Sequence, residues 1–291
     1  MSKPETIIRN LPIWHGPLRI QPLHGGTTNV NMLVQDDLRR AVVRLGDDIA
    51  VHQILRFNEV NASRAAHAAG ISPAVIYHAP GVLVIDYIVG RTLVGADFQD
   101  EILLDQAISL IARTHRDVPK HLRGAVMTFW VFHVIRDYIA TLREQGSPYA
   151  PLFPSLLVQA EKLQAAVGPI DLVFGHNDLL PGNFIVDDAR MWLIDWDYAG
   201  FNSALFDLGG LAANAGLSHA QESRVLAQYF GQNPDTNLWR QYRAMKAAAA
   251  LREALWSMVS EVFSEIGFDY VAYTDTQLTI YRTAFDAFLQ S

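Results

Sequence analysis

His176-Asn177-Asp178-Leu179-Leu180-Pro181-Gly182-Asn183, with Ile194-Asp195-Trp196-Asp197 shortly after it, decides how this chain is read. An Asp followed five positions later by an Asn, and then by a second Asp at the end of an apolar strand, supplies one proton acceptor and two oxygen ligands. Phosphoryl transfer asks little covalent chemistry of a protein and much positioning, so a few oxygens must hold Mg²⁺ against the nucleotide phosphates. Asn183 and Asp195 are the candidate metal ligands, and Asp178 is the candidate base, able to orient an acceptor hydroxyl and take its proton as charge develops. Pro181 and Gly182 keep the loop out of a helix. Phe184-Ile185-Val186 and Met191-Trp192-Leu193-Ile194 read as short strands joined by the polar turn Asp187-Asp188-Ala189-Arg190. That hairpin sets Asn183 and Asp195 side by side. An ordinary acidic turn uses the same residue types, but it does not require three separately placed groups to coincide.

These residues resemble the choline/ethanolamine kinase and aminoglycoside phosphotransferase superfamily, in which His-Asn-Asp-Leu-x-x-x-Asn and Ile-Asp-x-x-Tyr recur with a Phe-Asp-Leu segment after them. Here that segment is Phe206-Asp207-Leu208, and Ile194-Asp195-Trp196-Asp197-Tyr198-Ala199 is similar to the choline-kinase form of the second motif. The resemblance spans most of the chain. It implies an α+β, bilobal protein-kinase-like fold with a small N-terminal antiparallel-sheet lobe carrying one helix and a larger, mostly helical C-terminal lobe. It implies ATP as phosphoryl donor, Mg²⁺ as cofactor and a small amino alcohol as acceptor, choline or ethanolamine first. It gives Asp207 a structural task, anchoring the catalytic loop. His176 joins the catalytic group as the residue that opens the motif and shapes the loop by hydrogen bonding, since no histidine-rich metal spacing surrounds it.

Composition agrees. The chain has 291 residues, half of them hydrophobic, enough for two lobes with a sizeable core. No apolar run reaches the roughly 18 to 20 residues of a membrane helix, and the start Met1-Ser2-Lys3-Pro4-Glu5-Thr6 lacks a signal-peptide apolar region. A soluble cytoplasmic protein without membrane insertion is expected. The absence of cysteine excludes disulfides and thiolate metal sites, which leaves a hard, oxygen-liking cation. A net charge of -7 without a Lys/Arg-rich run argues against a nucleic-acid surface. The oligomeric state is not legible.

The first part reads as strands. Leu18-Arg19-Ile20 leads to Leu23-His24-Gly25-Gly26-Thr27-Thr28-Asn29, then Val30-Asn31-Met32-Leu33-Val34 and, after a turn, Ala41-Val42-Val43-Arg44-Leu45. Glycine allows close backbone approach, so Gly25, Gly26, Thr27, Thr28 and Asn29 are candidates to cover nucleotide phosphates. Arg44 ends an apolar strand where protein kinases carry a phosphate-contacting lysine, and its planar fork suits phosphate oxygens. A helix is expected from about 51 to 69, closed by Gly70, with Glu59 as the ion-pair partner of Arg44. The segments 74–78 and 82–87 read as a further hairpin, completing about five strands. Residues 88–92 resemble the family's hinge, where the backbone around Asp86, Tyr87 and Ile88 can pair with an adenine edge. The expected division is 1–87 for the nucleotide-binding lobe, 88–92 for the hinge and 93–291 for the catalytic and acceptor-binding lobe.

The remainder is helical by its apolar spacing, with a long helix expected from about Leu238 to Phe263. His115 is expected to be structural, while His24, His52 and His133 show no partner in sequence. Trp196-Asp197 stands where protein kinases carry Phe-Gly and no Ala-Pro-Glu segment follows, which speaks against a protein substrate. A cationic acceptor calls for carboxylates and aromatic faces. Asp178, Trp196, Asp197, Tyr198 and Trp256 are the substrate-binding candidates. Choline kinases present two Trp residues three apart near the C-terminus. Here only Trp256 remains and Glu253 takes the other position, leaving room for a less methylated amine. An aminoglycoside, thiamine or another small hydroxyl compound is the alternative acceptor. A catalytically silent nucleotide-binding protein is the alternative from outside the enzymes, and the intact Asp178, Asn183 and Asp195 argue against it.

Overall fold

The computed structural model describes residues 2–23 and 29–291. A short helix α1 (Lys3–Arg9), opened by a Ser2/Glu5 capping box, precedes strands β1 (Arg19–Leu23), β2 (Val30–Gln35) and β3 (Arg40–Leu45). Helix α2 (Arg56–Ala68) follows, and then β4 (Val75–Ala79) and β5 (Val82–Asp86). Among the described residues these strands form one antiparallel sheet in the order β1-β2-β3-β5-β4. Alternation sends Met32, Val34, Ala41, Val43, Leu45 and Val84 to one face, where α1 closes them with Ile8. The chain is thus bilobal, with a small N-terminal sheet lobe and a larger helical C-terminal lobe.

Helix α2 starts later than the sequence spacing suggests. Residues 49–54 instead form a tight loop around the bridge Ile49↔Ile54, and the Arg56 backbone N–H is taken by Asp48 Oδ1 at 2.7 Å. The apolar face of α2, Ala62, Ala65 and Ala66, packs into the same continuous core as the large lobe, not into the sheet's own cluster. Glu59 on this helix is therefore fixed relative to the C-terminal lobe.

After β6 (Arg91–Thr92) the chain turns helical with α3 (Glu101–Asp117), α4 (Val131–Glu144) and α5 (Phe153–Val167). Strand β7 (Leu172–Gly175) leads into the segment 176–183, followed by β8 (Phe184–Val186), β9 (Met191–Leu193) and β10 (Gly200–Ser203). The expected hairpin is present as β8–β9, with β6 added alongside β8, while β10 returns to pair with β7. Gly90 makes the first junction possible, because a Cβ there would stand 2.6 Å from the Val186 carbonyl oxygen. Helices α6 (Ala204–Ala215), α7 (His219–Phe230), α8 (Thr236–Phe263) and α9 (Tyr270–Leu289) complete the lobe. Helix α8 is buried along most of its length, an Ala- and Leu-rich axle on which α4, α5, α6 and α9 pack. No helix among the described residues is long and apolar enough to cross a membrane.

Candidate active site

The candidate catalytic loop, residues 176–183, is held from behind by one carboxylate. Asp207, in the first turn of α6, accepts from the His176 N–H at 2.8 Å, the Asn177 N–H at 2.7 Å and His115 Nε2 at 2.9 Å. His115 reaches the Tyr229 hydroxyl with its other nitrogen at 2.7 Å, so this buried histidine extends the anchor. Burial raises the Asp207 carboxyl, but the His115 hydrogen bond and the loop donors outweigh it and hold it below the usual range. Asn177 takes a left-handed backbone, φ 64°, which Asn tolerates better than most residues. Its Nδ2 donates to the carbonyls of Tyr198 and Gly200, both at 3.0 Å, tying the loop to the segment after Asp195. Gly175 has no room for a side chain here, since a Cβ would meet Asn177 Oδ1 at 2.8 Å.

The same economy fixes the two candidate metal ligands. Ile194 N–H donates to the Asn183 carbonyl at 3.0 Å, extending the β8–β9 ladder so that Asn183 and Asp195 are neighbours. Asn183 Nδ2 donates to the Asp178 carbonyl at 2.8 Å, which leaves Oδ1 for a cation. Asp195 sits at φ 71°, an unusual backbone state for a residue with a Cβ and of the kind that collects at functional sites. His176, fully buried, donates Nε2–H to the Ile194 carbonyl at 2.9 Å and lies against the Trp196 ring. Burial lowers its pKa, as befits a loop-shaping imidazole. The donor set is hard oxygen and fits Mg²⁺. Among the described residues no group of three or more His, Cys, Asp or Glu is placed to hold a metal ion.

Arg44 reaches this point from β3. Its Nη1 lies 2.6 Å from Glu59 Oε1, 2.9 Å from Asp195 Oδ1 and 3.0 Å from Asp197 Oδ1. Burial disfavours the guanidinium charge, and Asp195, Glu59 and Asp197 more than restore it, holding its pKa well above the ordinary value. A second arginine, absent from the sequence reading, shares these carboxylates: Arg56 Nη1 is 2.8 Å from both Glu59 Oε2 and Asp197 Oδ1, and Nη2 donates to Asn29 Oδ1 at 2.6 Å. Its signal was available, because a cation in the first turn of a helix opposes the helix dipole and needs local anions.

Two hollows meet at the candidate metal ligands. The larger, about 360 Å³, lies between the sheet and β8–β9 and is bordered by Arg44, Glu59, Asp86, Tyr87, Ile88 and Trp196. The smaller, about 160 Å³, is bordered by Asn29, Asp178, Asp197, Tyr198, Glu253, Trp256 and Tyr273. Asn31, Asn183 and Asp195 line both, whereas Asp178 faces only the smaller of these two. Asn29 stands in the smaller hollow, donating to Asp197 Oδ2 at 3.1 Å, while Gly25, Gly26, Thr27 and Thr28 lie outside the described residues.

Trp196 departs from the sequence expectation. It is 1 % exposed, donates its indole N–H to Ser72 Oγ at 2.8 Å and borders the larger hollow, away from Tyr198 and Trp256. Asp195 turns through a left-handed backbone, and the indole that follows it is directed to Ser72 on the side of the larger hollow. The α8–α9 pair brings Arg252, which the sequence reading did not single out, beside Glu253. Tyr273 donates to Glu253 Oε1 at 2.8 Å, Arg252 Nη1 to Glu253 Oε2 at 2.9 Å, and Arg252 stands 3.6 Å from Asp178 Oδ1.

Trp256 rests on the buried His52 ring, whose nitrogens meet Tyr138 and Ser260 hydroxyls, each at 3.1 Å. Burial, with Arg252 adding, pushes the His52 imidazole down to about 3. Between that value and the unfolded pKa of about 6.5, the unfolded chain binds a proton that the folded chain refuses, so stability falls as pH drops. His52→Gln is expected to shrink the loss of unfolding free energy between pH 7 and pH 5 by about 2 kcal/mol, read from urea titrations at the two pH values.

Known proteins are similar to this chain in sequence and in fold. The sequence profile of the phosphotransferase enzyme family matches residues 19–245. Ethanolamine kinase 2 of Mus musculus is 27% identical over 299 residues, covering 92% of this chain and 77% of that protein. The structure of a choline/ethanolamine kinase family protein from Mesorhizobium loti superposes with a TM-score of 0.77 at 25% identity, covering 99% of each chain. In fold alone, choline kinase LicA from Streptococcus pneumoniae is similar over 100% of both chains, with a TM-score of 0.82 at 24% identity. With that profile spanning most of its length, this chain belongs to the phosphotransferase enzyme family.

Proposed function

We propose that the chain transfers the γ-phosphoryl group of ATP to the hydroxyl of a small amino alcohol of the choline and ethanolamine class, with Mg²⁺ held by Asn183 and Asp195. The observation that carries this reading is the position of those two residues at the neck between a larger and a smaller hollow, with Asp178 on the smaller side only. On this reading residues 1–87 cover the nucleotide, 88–92 join the lobes, and 93–291 carry the acceptor. The backbone at Asp86, Tyr87 and Ile88 pairs with the base, and Arg44, steered by Glu59, meets phosphate oxygens. When bound, the metal neutralises charge on the β- and γ-phosphate oxygens. Asp178 orients the acceptor oxygen and takes its proton late, so that ADP and a phosphomonoester leave.

The smaller hollow is built for a cation. Asp178, Asp195, Asp197 and Glu253 outnumber the one cation on its lining, Arg252, and Tyr273 and Trp256 supply ring faces. One indole beside a carboxylate favours an ammonium that keeps N–H donors over trimethylammonium, which has none to give. The test is ADP release from Mg-ATP across ethanolamine, its N-methylated series, choline, aminoglycosides and thiamine. Stimulation is expected to be strongest with ethanolamine and to fall with methylation. Stimulation by no amino alcohol removes the proposal.

Asn183→Ala gives a second check. Its amide oxygen is one of two protein ligands proposed for the ion, and losing even an outer-shell partner costs about 10–100-fold in metal affinity. The half-saturating Mg²⁺ concentration is expected to rise at least about tenfold. An unchanged Mg²⁺ titration rules this residue out as a ligand.

A further inference from the structure

Arg252 and Glu253 are neighbouring charges within the buried Ala- and Leu-rich middle of α8, 3 % and 7 % exposed. A guanidinium withdrawn from water is costly unless paired, so its partners identify its task. Nη1 is shared between Glu253 Oε2 at 2.9 Å and Asp178 Oδ1 at 3.6 Å, a hydrogen bond to the first and an ion pair with the second. The guanidinium carbon stands 4.2 Å from the centre of the Tyr198 ring and 5.6 Å from that of Phe129. Glu253 is braced in turn by the Tyr273 hydroxyl.

Two features set this arginine apart from one that merely fills a core. Its Nε and Nη2 are buried without a hydrogen-bond partner in the protein, where a structural arginine has its donors satisfied. Among the described residues, no hydrogen bond from the protein reaches the Asp178 carboxylate, so the ion pair with Arg252 is what orients it.

We propose that Arg252 is a positioning residue for Asp178, clamped by Tyr198 and Glu253 so that one carboxylate oxygen is held toward α8 and the other faces the acceptor hydroxyl. This rests on the phosphotransfer reading above. A lysine would carry the charge without the flat fork that the ring clamps, so the two side chains are not interchangeable at this position.

The experiment is steady-state kinetics of Arg252→Met and Arg252→Lys, alone and on an Asp178→Asn background, with melting temperatures measured alongside. Arg252→Met is expected to lower acceptor-dependent kcat about a hundredfold with the ATP KM within about twofold, the signature of a misplaced reacting group. Arg252→Lys is expected to recover part of that loss. On the Asp178→Asn background Arg252→Met is expected to change kcat less than about twofold, since an effect exerted through Asp178 disappears with it. A native-like kcat in Arg252→Met, or an equal loss on the Asp178→Asn background, overturns the proposal while leaving the phosphotransfer reading intact. If Arg252→Met does not fold, Arg252→Lys decides: a kcat lowered about tenfold with unchanged ATP KM supports the assignment, and an unchanged kcat overturns it. If the native chain phosphorylates no acceptor in the panel, the phosphotransfer reading fails and this assignment with it.

Discussion

Asp178→Ala is expected to lower acceptor-dependent turnover about a thousandfold while the affinity for Mg-ATP stays within a few-fold of native, measured by ADP release and by equilibrium nucleotide binding. The size follows from the contribution of a positioned base, about 10²–10⁴ in rate. The split follows from the geometry: Asp178 borders the smaller hollow and not the larger, so truncating it leaves the walls of the larger one untouched. Burial raises the Asp178 carboxyl, Arg252 opposes that rise, and Glu253, Asp195 and Asp197 add to it. A carboxylate shifted upward is a stronger base for a hydroxyl than an exposed aspartate. Nucleotide affinity falling in step with turnover would mean that Asp178 belongs to the donor side, and the division of labour between the two hollows would be wrong.

The parts of this site that sequence disclosed are those built from residues close together in the chain. Asn183 and Asp195 are joined by one hairpin, and period-two alternation with a polar turn is enough to pair them. Asp178 reaches the same place because Pro181 to Asn183 form a single tight turn before β8. The five-strand sheet was legible for the same reason, since its neighbours are mostly hairpins. What stayed hidden depends on contacts across more than seventy residues. Arg56 meets Asp197, Arg252 meets Asp178, and His52 meets Ser260, and no local period announces such pairs. Composition carried a fainter mark: Arg252-Glu253 interrupts an otherwise apolar run, and charges in the middle of a buried helix demand partners. Trp196 shows the opposite failure, where nearness in sequence to Tyr198 suggested a shared substrate pocket and the indole instead lies against Ser72 on the larger hollow.

Asp207→Ala is expected to cost about 3–5 kcal/mol of stability, the range for stripping one partner from a buried charged network, read from denaturant unfolding. The truncation leaves the His176 and Asn177 backbone N–H groups and His115 Nε2 facing one another without an acceptor. Each lies where water does not reach freely, because Asp207, His176 and Asn177 are all under 4 % exposed. Asp207→Asn is expected to cost roughly half as much, since a carboxamide oxygen can still serve the pair of donors at Oδ2 while its NH₂ group opposes the Asn177 N–H. Both variants are expected to lose turnover, because the loop they loosen carries Asp178 and Asn183. Unlike Asp178→Ala, they lose it together with stability, and that pairing separates an anchor from a reacting group. An Asp207→Ala protein within about 1 kcal/mol of native stability would show that the β7–β10 pairing and the Asn177 clamp hold the loop without the carboxylate, and that the anchor assigned to α6 is redundant.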